Sequence, residues 1–250
     1  MDWGRPFRAA GNFASRAWRG TGWKAWVKRI LVILFVLLIP APIFSLLVFR
    51  FLPVPFTPQM VVGVLSGDAV RYSWRASWEI SPTLGKAVIG SEDQNFCRHH
   101  GFDWIEIDRA IQSHERHPKR RLRGASTISQ QTARSLFLVP VRSWARKGLE
   151  AYLTVLMEFL WPKERILTAY LNLVDWGHGN FGAEAAAQSY FGKSAASLTA
   201  AESARLAAIL PNPDAWKAVH PGPYVSRRTG TLMSRMHEVN RDTLDWCVHQ

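Results

Sequence analysis

Residues Arg142 to Trp161 read RSWARKGLEAYLTVLMEFLW, and Pro162 follows. Leu149, Leu153, Leu156 and Leu160 recur at helical intervals, not at the alternation of a strand. Proline has no N–H and clashes with the preceding turn, so it ends the run. The spacing therefore predicts one long helix over 142–161. The flanking sequence has the same texture. Ser126–Leu138, STISQQTARSLFL, has Thr127 and Gln130 at capping-box spacing, which predicts a helix starting at Ser126/Thr127. Leu84–Asp93, Trp104–Ser113 and Glu164–Leu173 read as further helices. So does Thr199–Leu210, bounded by a Thr199/Glu202 box and by Pro211. Gly177–Gly182 reads as a loop.

Two stretches read differently. Val70, Tyr72, Trp74, Ala76 and Trp78 alternate with Arg71, Ser73, Arg75 and Ser77, which predicts a half-buried strand. Phe51–Gln59 contains Pro53, Pro55 and Pro58 and reads as an extended tether. The expected fold is mainly α.

Upstream, Ile30–Phe49 is ILVILFVLLIPAPIFSLLVF, 20 residues without a charge. At about 1.5 Å per residue this spans roughly 30 Å, the thickness of the bilayer hydrocarbon. Pro40 and Pro42 are expected to kink it, which membrane helices tolerate. Seven basic residues (Arg5, Arg8, Arg16, Arg19, Lys24, Lys28, Arg29) precede the span against Asp2 alone, whereas Arg50 alone follows closely. That asymmetry predicts a cytoplasmic N-terminus and an outward-facing remainder. The organisation read from the chain is a basic tail over 1–29, a transmembrane helix over 30–49, a membrane-proximal region over 50–79 and a catalytic domain over 80–250.

The 250 residues carry 31 Lys and Arg against 19 Asp and Glu, a net charge of +12 that calls for an anionic partner. Half of this excess lies in the N-terminal tail, where it is a topology and lipid-surface signal. A domain outside the membrane would not meet nucleic acid, so that class is set aside. Two cysteines, Cys97 and Cys247, exclude a disulfide scaffold and a four-cysteine zinc site. They are read as two unpaired thiols, with a single bridge as the alternative.

Three polar segments exceed what plain core helices need. Glu92 and Asp93 end an apolar helix and lead into a turn with His99 and His100, at a spacing that matches no standard zinc motif. Gly124–Arg134 is a small-residue turn opening a helix, whose free N–H groups could receive a phosphate, and it follows the basic run Arg116–Arg123. Thr127, Gln130 and Arg134 share one face of it. Arg146, Lys147 and Glu150 share a face of the long helix. Two carboxylates could divide acid/base work on a sugar, and the cations could hold a diphosphate.

These segments resemble the peptidoglycan glycosyltransferases, glycosyltransferase family 51. The resemblance rests on SEDQNFCRHHGF at 91–102, GASTISQQ at 124–131, RKGLE at 146–150, KERILTAYLN at 163–172, AAAQSYFGK at 185–193 and LPNP at 210–213. It implies a lysozyme-like, mainly helical glycosyltransferase domain behind one transmembrane helix in the cell inner (plasma) membrane, facing the periplasm. It implies polymerisation of lipid II into glycan strands, with inversion and release of undecaprenyl diphosphate. Carried over by position, Glu92 would be the general base and Glu150 would assist departure of the diphosphate, with Glu150 the ligand of a divalent cation (Mg or Mn). Asp93, Ser126, Thr127, Gln130, Gln131, Arg134, Arg146 and Lys147 would bind substrate. No organic cofactor is implied. Lipid II, the growing glycan chain and membrane lipids are the expected partners, and other cell-wall synthases are candidates. Family members often carry Lys where this chain has Arg134, which keeps the charge and changes its geometry. Larger relatives add a transpeptidase domain. None of the eight lysines here has Ser three positions before it, so strand synthesis without cross-linking is expected.

Overall fold

The computed structural model describes residues 22–117, 125–141, 143–241 and 245–248. Chain contacts divide it into two units, 1–48 and 49–250. The first holds helix α1 (Trp23–Leu38) and most of α2 (Pro40–Phe49). Trp23–Phe49 is a 27-residue helical stretch whose most apolar 18-residue window has a mean hydropathy of 2.9, long enough and apolar enough to cross a membrane. The expected kink is a break at Ile39. Pro40 has no N–H to continue the ladder, and Ile39 before it has φ −117° and ψ −75°, distorted but still in the right-handed helical region.

The second unit is mainly α. It runs through α3 (Pro58–Leu65), the short strand β1 (Arg71–Tyr72), α4 (Pro82–Glu92), α5 (Trp104–Arg116), α6 (Ile128–Phe137), α7 (Trp144–Leu160) and α8 (Lys163–Leu173). Strand β2 (Asn180–Phe181), α9 (Ala183–Phe191), α10 (Ala200–Ile209) and α11 (Pro223–Arg241) complete it, with single 3-10 turns at Ser77–Glu79, Ala195–Ser197 and Trp246–Val248. Two packed groups make the core. In one, α4 lies against α10 and α11, and in the other α6 lies against α7 and α8. Leu84, Ala87, Val88 and Ile89 of α4 are buried where it packs on α10, whose Ala204, Leu206, Ala207, Ala208 and Ile209 are buried in turn. Small side chains let such backbones approach closely. Helix α8 is buried from Ile166 to Leu173.

Three expectations need correction. The strand over 70–78 shrinks to two residues, which pair in parallel with β2, Arg71 opposite Asn180 and Tyr72 opposite Phe181. Beyond Tyr72 a side chain takes the place of a partner strand. Asn172 Oδ1 accepts the Arg75 N–H at 2.7 Å, and Asn172 Nδ2 donates to the Arg75 carbonyl at 2.9 Å. The tether is extended only as far as Thr57, and it is fastened to the domain. The Arg165 guanidinium donates to the carbonyls of Phe49 and Leu52, and the Tyr72 hydroxyl donates to the Val54 carbonyl at 2.5 Å. Pro58 belongs to α3, at its first turn behind the buried cap Thr57. The long helix is also rotated from its leucine stripe. Its buried positions are Glu150, Leu153, Thr154 and Met157, while Trp144 and Phe159 are 92% and 87% exposed.

The glycine loop brings β2 to β1. Gly179 has φ +73°, and a Cβ there would lie 2.0 Å from the Ala69 carbonyl oxygen, so only glycine permits this approach.

Candidate active site

Glu92 is the last residue of α4, which stops because Asp93 leaves the helical region. Its carboxylate is held from three elements. Oε2 accepts from Gln131 Nε2 of α6 at 3.1 Å, Oε1 accepts from Ser91 Oγ at 3.0 Å, and Arg228 Nη2 of α11 lies 3.8 Å from Oε1. The side chain is 16% exposed, so the group is anchored but reachable.

Gln131 is itself oriented. Its Nε2 also reaches the Ser126 carbonyl at 3.3 Å, and its Oε1 accepts from the Tyr170 hydroxyl at 3.3 Å. Burial, with the Glu92 charge adding to it, pushes the Tyr170 hydroxyl well above the ordinary tyrosine range, so it stays a proton donor. Ser126 Oγ is buried without a protein partner among the described residues.

The start of α6 is closed. Asp93 Oδ2 accepts the Ile128 N–H at 2.9 Å, and Asp93 Oδ1 meets His99 Nε2 at 2.9 Å. Thr127 Oγ1 accepts the Gln130 N–H at 3.2 Å, and Gln130 Oε1 accepts the Thr127 N–H at 3.1 Å, the expected capping box. The Thr127 hydroxyl donates to the Gly101 carbonyl at 2.6 Å. The reading of free amides awaiting a phosphate is therefore corrected for two of them: the Asp93 carboxylate, favoured by the helix dipole, takes the Ile128 N–H, and Thr127 takes that of Gln130. Asp93, Thr127 and Gln130 face protein partners. Arg134, half-buried two turns into α6, has no ion pair among the described residues, and its charge acts on Tyr170. Of the basic run, only Arg116 and His117 fall within the described residues, and Gly124 lies outside them too.

Glu150 is wholly buried on α7. Arg146 Nη1 lies 2.8 Å from Oε2, and Lys147 Nζ pairs with Oε1. Ser143 caps this helix by accepting the Arg146 N–H at 3.1 Å. The shared face was legible in the sequence. Its burial was not, and it turns a surface ion pair of little consequence into a charge that depends on its partners. Among the described residues, protein side chains alone build no divalent-cation site. Both Glu150 oxygens are taken by cations, and no group of three His, Cys, Asp or Glu among the described residues could hold a metal.

A second buried ionic set braces the three helices beneath. Glu158 of α7 pairs with Lys163 at 2.7 Å and accepts from Ser129 of α6, while Lys163 lies 4.5 Å from the Phe96 ring centroid. Burial holds the Lys163 ammonium below the usual lysine range.

The two cysteines are a disulfide, Cys97–Cys247, with Cα atoms 5.5 Å apart, which corrects the reading of two thiols. Distance along the chain says nothing about distance in the fold, and this separation is an ordinary one for a bridge. The bridge ties the loop after Glu92 to the C-terminal 3-10 turn. Ser91 and Arg228 were also missed by the sequence reading. The signal available was the apolar spacing of Val225, Leu232, Met236 and Val239, all buried on α11.

A family model described as Transglycosylase matches residues 59–237. A biosynthetic peptidoglycan transglycosylase of Caulobacter vibrioides is 47% identical over 222 residues, covering 89% of this chain and 96% of the relative. One of Rhodospirillum centenum is 47% identical over 201 residues, covering 80% and 86%. One of Pectobacterium atrosepticum is 45% identical over 231 residues, covering 90% and 94%.

Proposed function

This chain belongs to the transglycosylase family, and from that membership we propose that it joins lipid II units with Glu92 as base and the Arg146–Lys147–Glu150 cluster at the leaving group. The domain is lysozyme-like and mainly helical, and the protein is a glycosyltransferase that builds the glycan strands of peptidoglycan.

The chemistry follows from two carboxylates built differently. Glu92 accepts hydrogen bonds from neutral donors, with the Arg228 guanidinium 3.8 Å away, and remains reachable, as a base must be. It takes the proton from the 4-hydroxyl of the acceptor's N-acetylglucosamine. That oxygen bonds to the anomeric carbon of the growing chain. The bond from this carbon to the diphosphate oxygen breaks, the electron pair leaves with the diphosphate, and a single displacement inverts the centre. Glu150 is closed to solvent and acts through the cations it holds. Arg146 and Lys147 meet the charge developing on the diphosphate, in a place where Glu150 fixes them beforehand. Arg134, without an ion pair among the described residues, adds a third cation.

The proposed location is the inner membrane, with the N-terminus in the cytoplasm and the domain in the periplasm. The basic tail before α1 supports it, and so does the disulfide, which suits an oxidising compartment. Trp144, Tyr152, Val155 and Phe159 leave one side of α7 apolar and exposed, a surface suited to membrane lipids.

The deciding observation is the contrast between a reachable Glu92 and a buried Glu150 under two cations. The test is incubation of detergent-solubilised protein with labelled lipid II. Glycan polymer and free undecaprenyl diphosphate are expected. Cleavage of finished glycan without use of lipid II would overturn the reading in favour of a hydrolase.

A further inference from the structure

Glu92 has neighbours to which the sequence motifs give no role. Ser91 Oγ lies 3.0 Å from Glu92 Oε1 and 3.2 Å from the Ala207 carbonyl of α10. A hydroxyl has one hydrogen, so Ser91 can donate to only one of the two at a time. Arg228 Nη2 lies 2.9 Å from Ser91 Oγ. Arginine only donates, so Arg228 occupies a lone pair of that oxygen and leaves the hydroxyl hydrogen for an acceptor. A cation donating to a hydroxyl polarises its O–H, and the polarised hydrogen favours the carboxylate over a neutral carbonyl.

The same helix supplies a second contact. Arg235 Nη1 donates to the Gly90 carbonyl at 3.2 Å. Arg228 and Arg235 are two turns apart on α11, so both face the C-terminal end of α4. That end carries the negative pole of the helix dipole, and Glu92 adds its own charge there. An unsupported carboxylate in that place would be repelled from the geometry in which it is seen.

We propose that Arg228 is a positioning residue for Glu92. Through Ser91 it holds Oε1 from α11, as Gln131 holds Oε2 from α6. The terminal torsion of a glutamate is broad and turns easily unless both oxygens are held. With both held, the remaining lone pairs of Glu92 point to one place, where the acceptor hydroxyl must arrive. The inference rests on Glu92 being the base.

The test uses full-length protein in detergent, with initial rates measured over a range of lipid II concentrations. Arg228→Ala should lower kcat at least about tenfold and leave KM within about twofold, because the contact orients the base and does not grip substrate. Arg228→Lys should recover most of that loss, since an ammonium can still donate to Ser91 Oγ. Ser91→Ala should lower kcat by a similar factor, and the double variant should be little worse than either single, as expected of residues acting as one unit. Unchanged kcat in Arg228→Ala, or losses that simply multiply in the double variant, would overturn the proposal. Circular dichroism follows folding. If Arg228→Ala does not fold, the Lys and Ser91→Ala variants decide by the same criteria. A substrate-free measurement separates this inference from the reading it rests on. The carboxylate carbon resonance of 13C-labelled Glu92, assigned with Glu92→Gln, should move in both Arg228→Ala and Ser91→Ala. A wild type that makes no polymer would sink the base assignment, whereas an unmoved resonance would sink the positioning contact.

Discussion

Asp93 accepts the Ile128 amide hydrogen at 2.9 Å, so the residue beside the base fastens the start of the helix that carries Gln131 and Arg134. One peptide step thus couples Glu92 on α4 to its own hydrogen-bond donor on α6. Loss of a helix cap costs about 0.5–2 kcal/mol. A buried donor left unsatisfied costs about 1–3 kcal/mol. Asp93→Ala should lower stability by about 1–3 kcal/mol and reduce polymerisation together with it. Denaturant melts of the detergent-solubilised protein measure the first. An unchanged midpoint would show that the cap is not made.

Glu92→Gln keeps the shape of the side chain and an oxygen for one of its donors, but removes the base. Polymerisation should fall about 100- to 10,000-fold, with the circular dichroism spectrum unchanged. A folded variant that turns over at a near-normal rate would assign the proton to another group.

Arg134 and Arg146 should separate by what else they hold. Arg146 balances a wholly buried carboxylate, and removing one partner of a buried pair typically costs about 3–5 kcal/mol. Lys147 remains on the other oxygen, so the lower end of that range is expected. Arg134 has no ion pair among the described residues. Arg146→Ala should therefore lose at least about tenfold in rate and also melt earlier. Arg134→Ala should lose a similar factor in rate with its melting midpoint nearly unchanged. Equal destabilisation by both would contradict the difference in their surroundings. Full activity in both would remove the cations from the leaving-group side.

Reduction should loosen the domain. A bridge closing a long stretch of chain typically contributes about 2–4 kcal/mol, largely by restricting the unfolded state. Dithiothreitol should lower the melting temperature of the wild type, and Cys97→Ser or Cys247→Ser should match the reduced protein and no longer respond to the reagent. Identical melts with and without reductant would mean that the two thiols are free.

The periodic parts of this protein were readable because their signals are local. A capping box such as Thr127/Gln130 or Thr199/Glu202 spans four residues, a proline stop such as Pro162 acts on the turn beside it, and the apolar run ending at Phe49 needs no partner to be recognised. Arg146, Lys147 and Glu150 could be set on one face because helical geometry alone puts them there. Other features depend on groups far along the chain. The half-buried strand dissolved after Tyr72 because Asn172, 97 positions from Arg75, satisfies that backbone with its side chain. The helix N-terminus read as open is closed by Asp93, 35 positions upstream of Ile128. The cysteines meet across 150 positions, and Arg228 comes to Ser91 across 137. Local sequence marked the membrane-spanning stretch and six helices, α4 to α8 and α10, but not α3, α9 or α11, and it determined which charges share a face. Packing of α4 against α10 and α11, and of α6 against α7 and α8, decided which charges are buried, which amides are occupied and what surrounds the base, because burial and hydrogen-bond partnership are settled by neighbours in space.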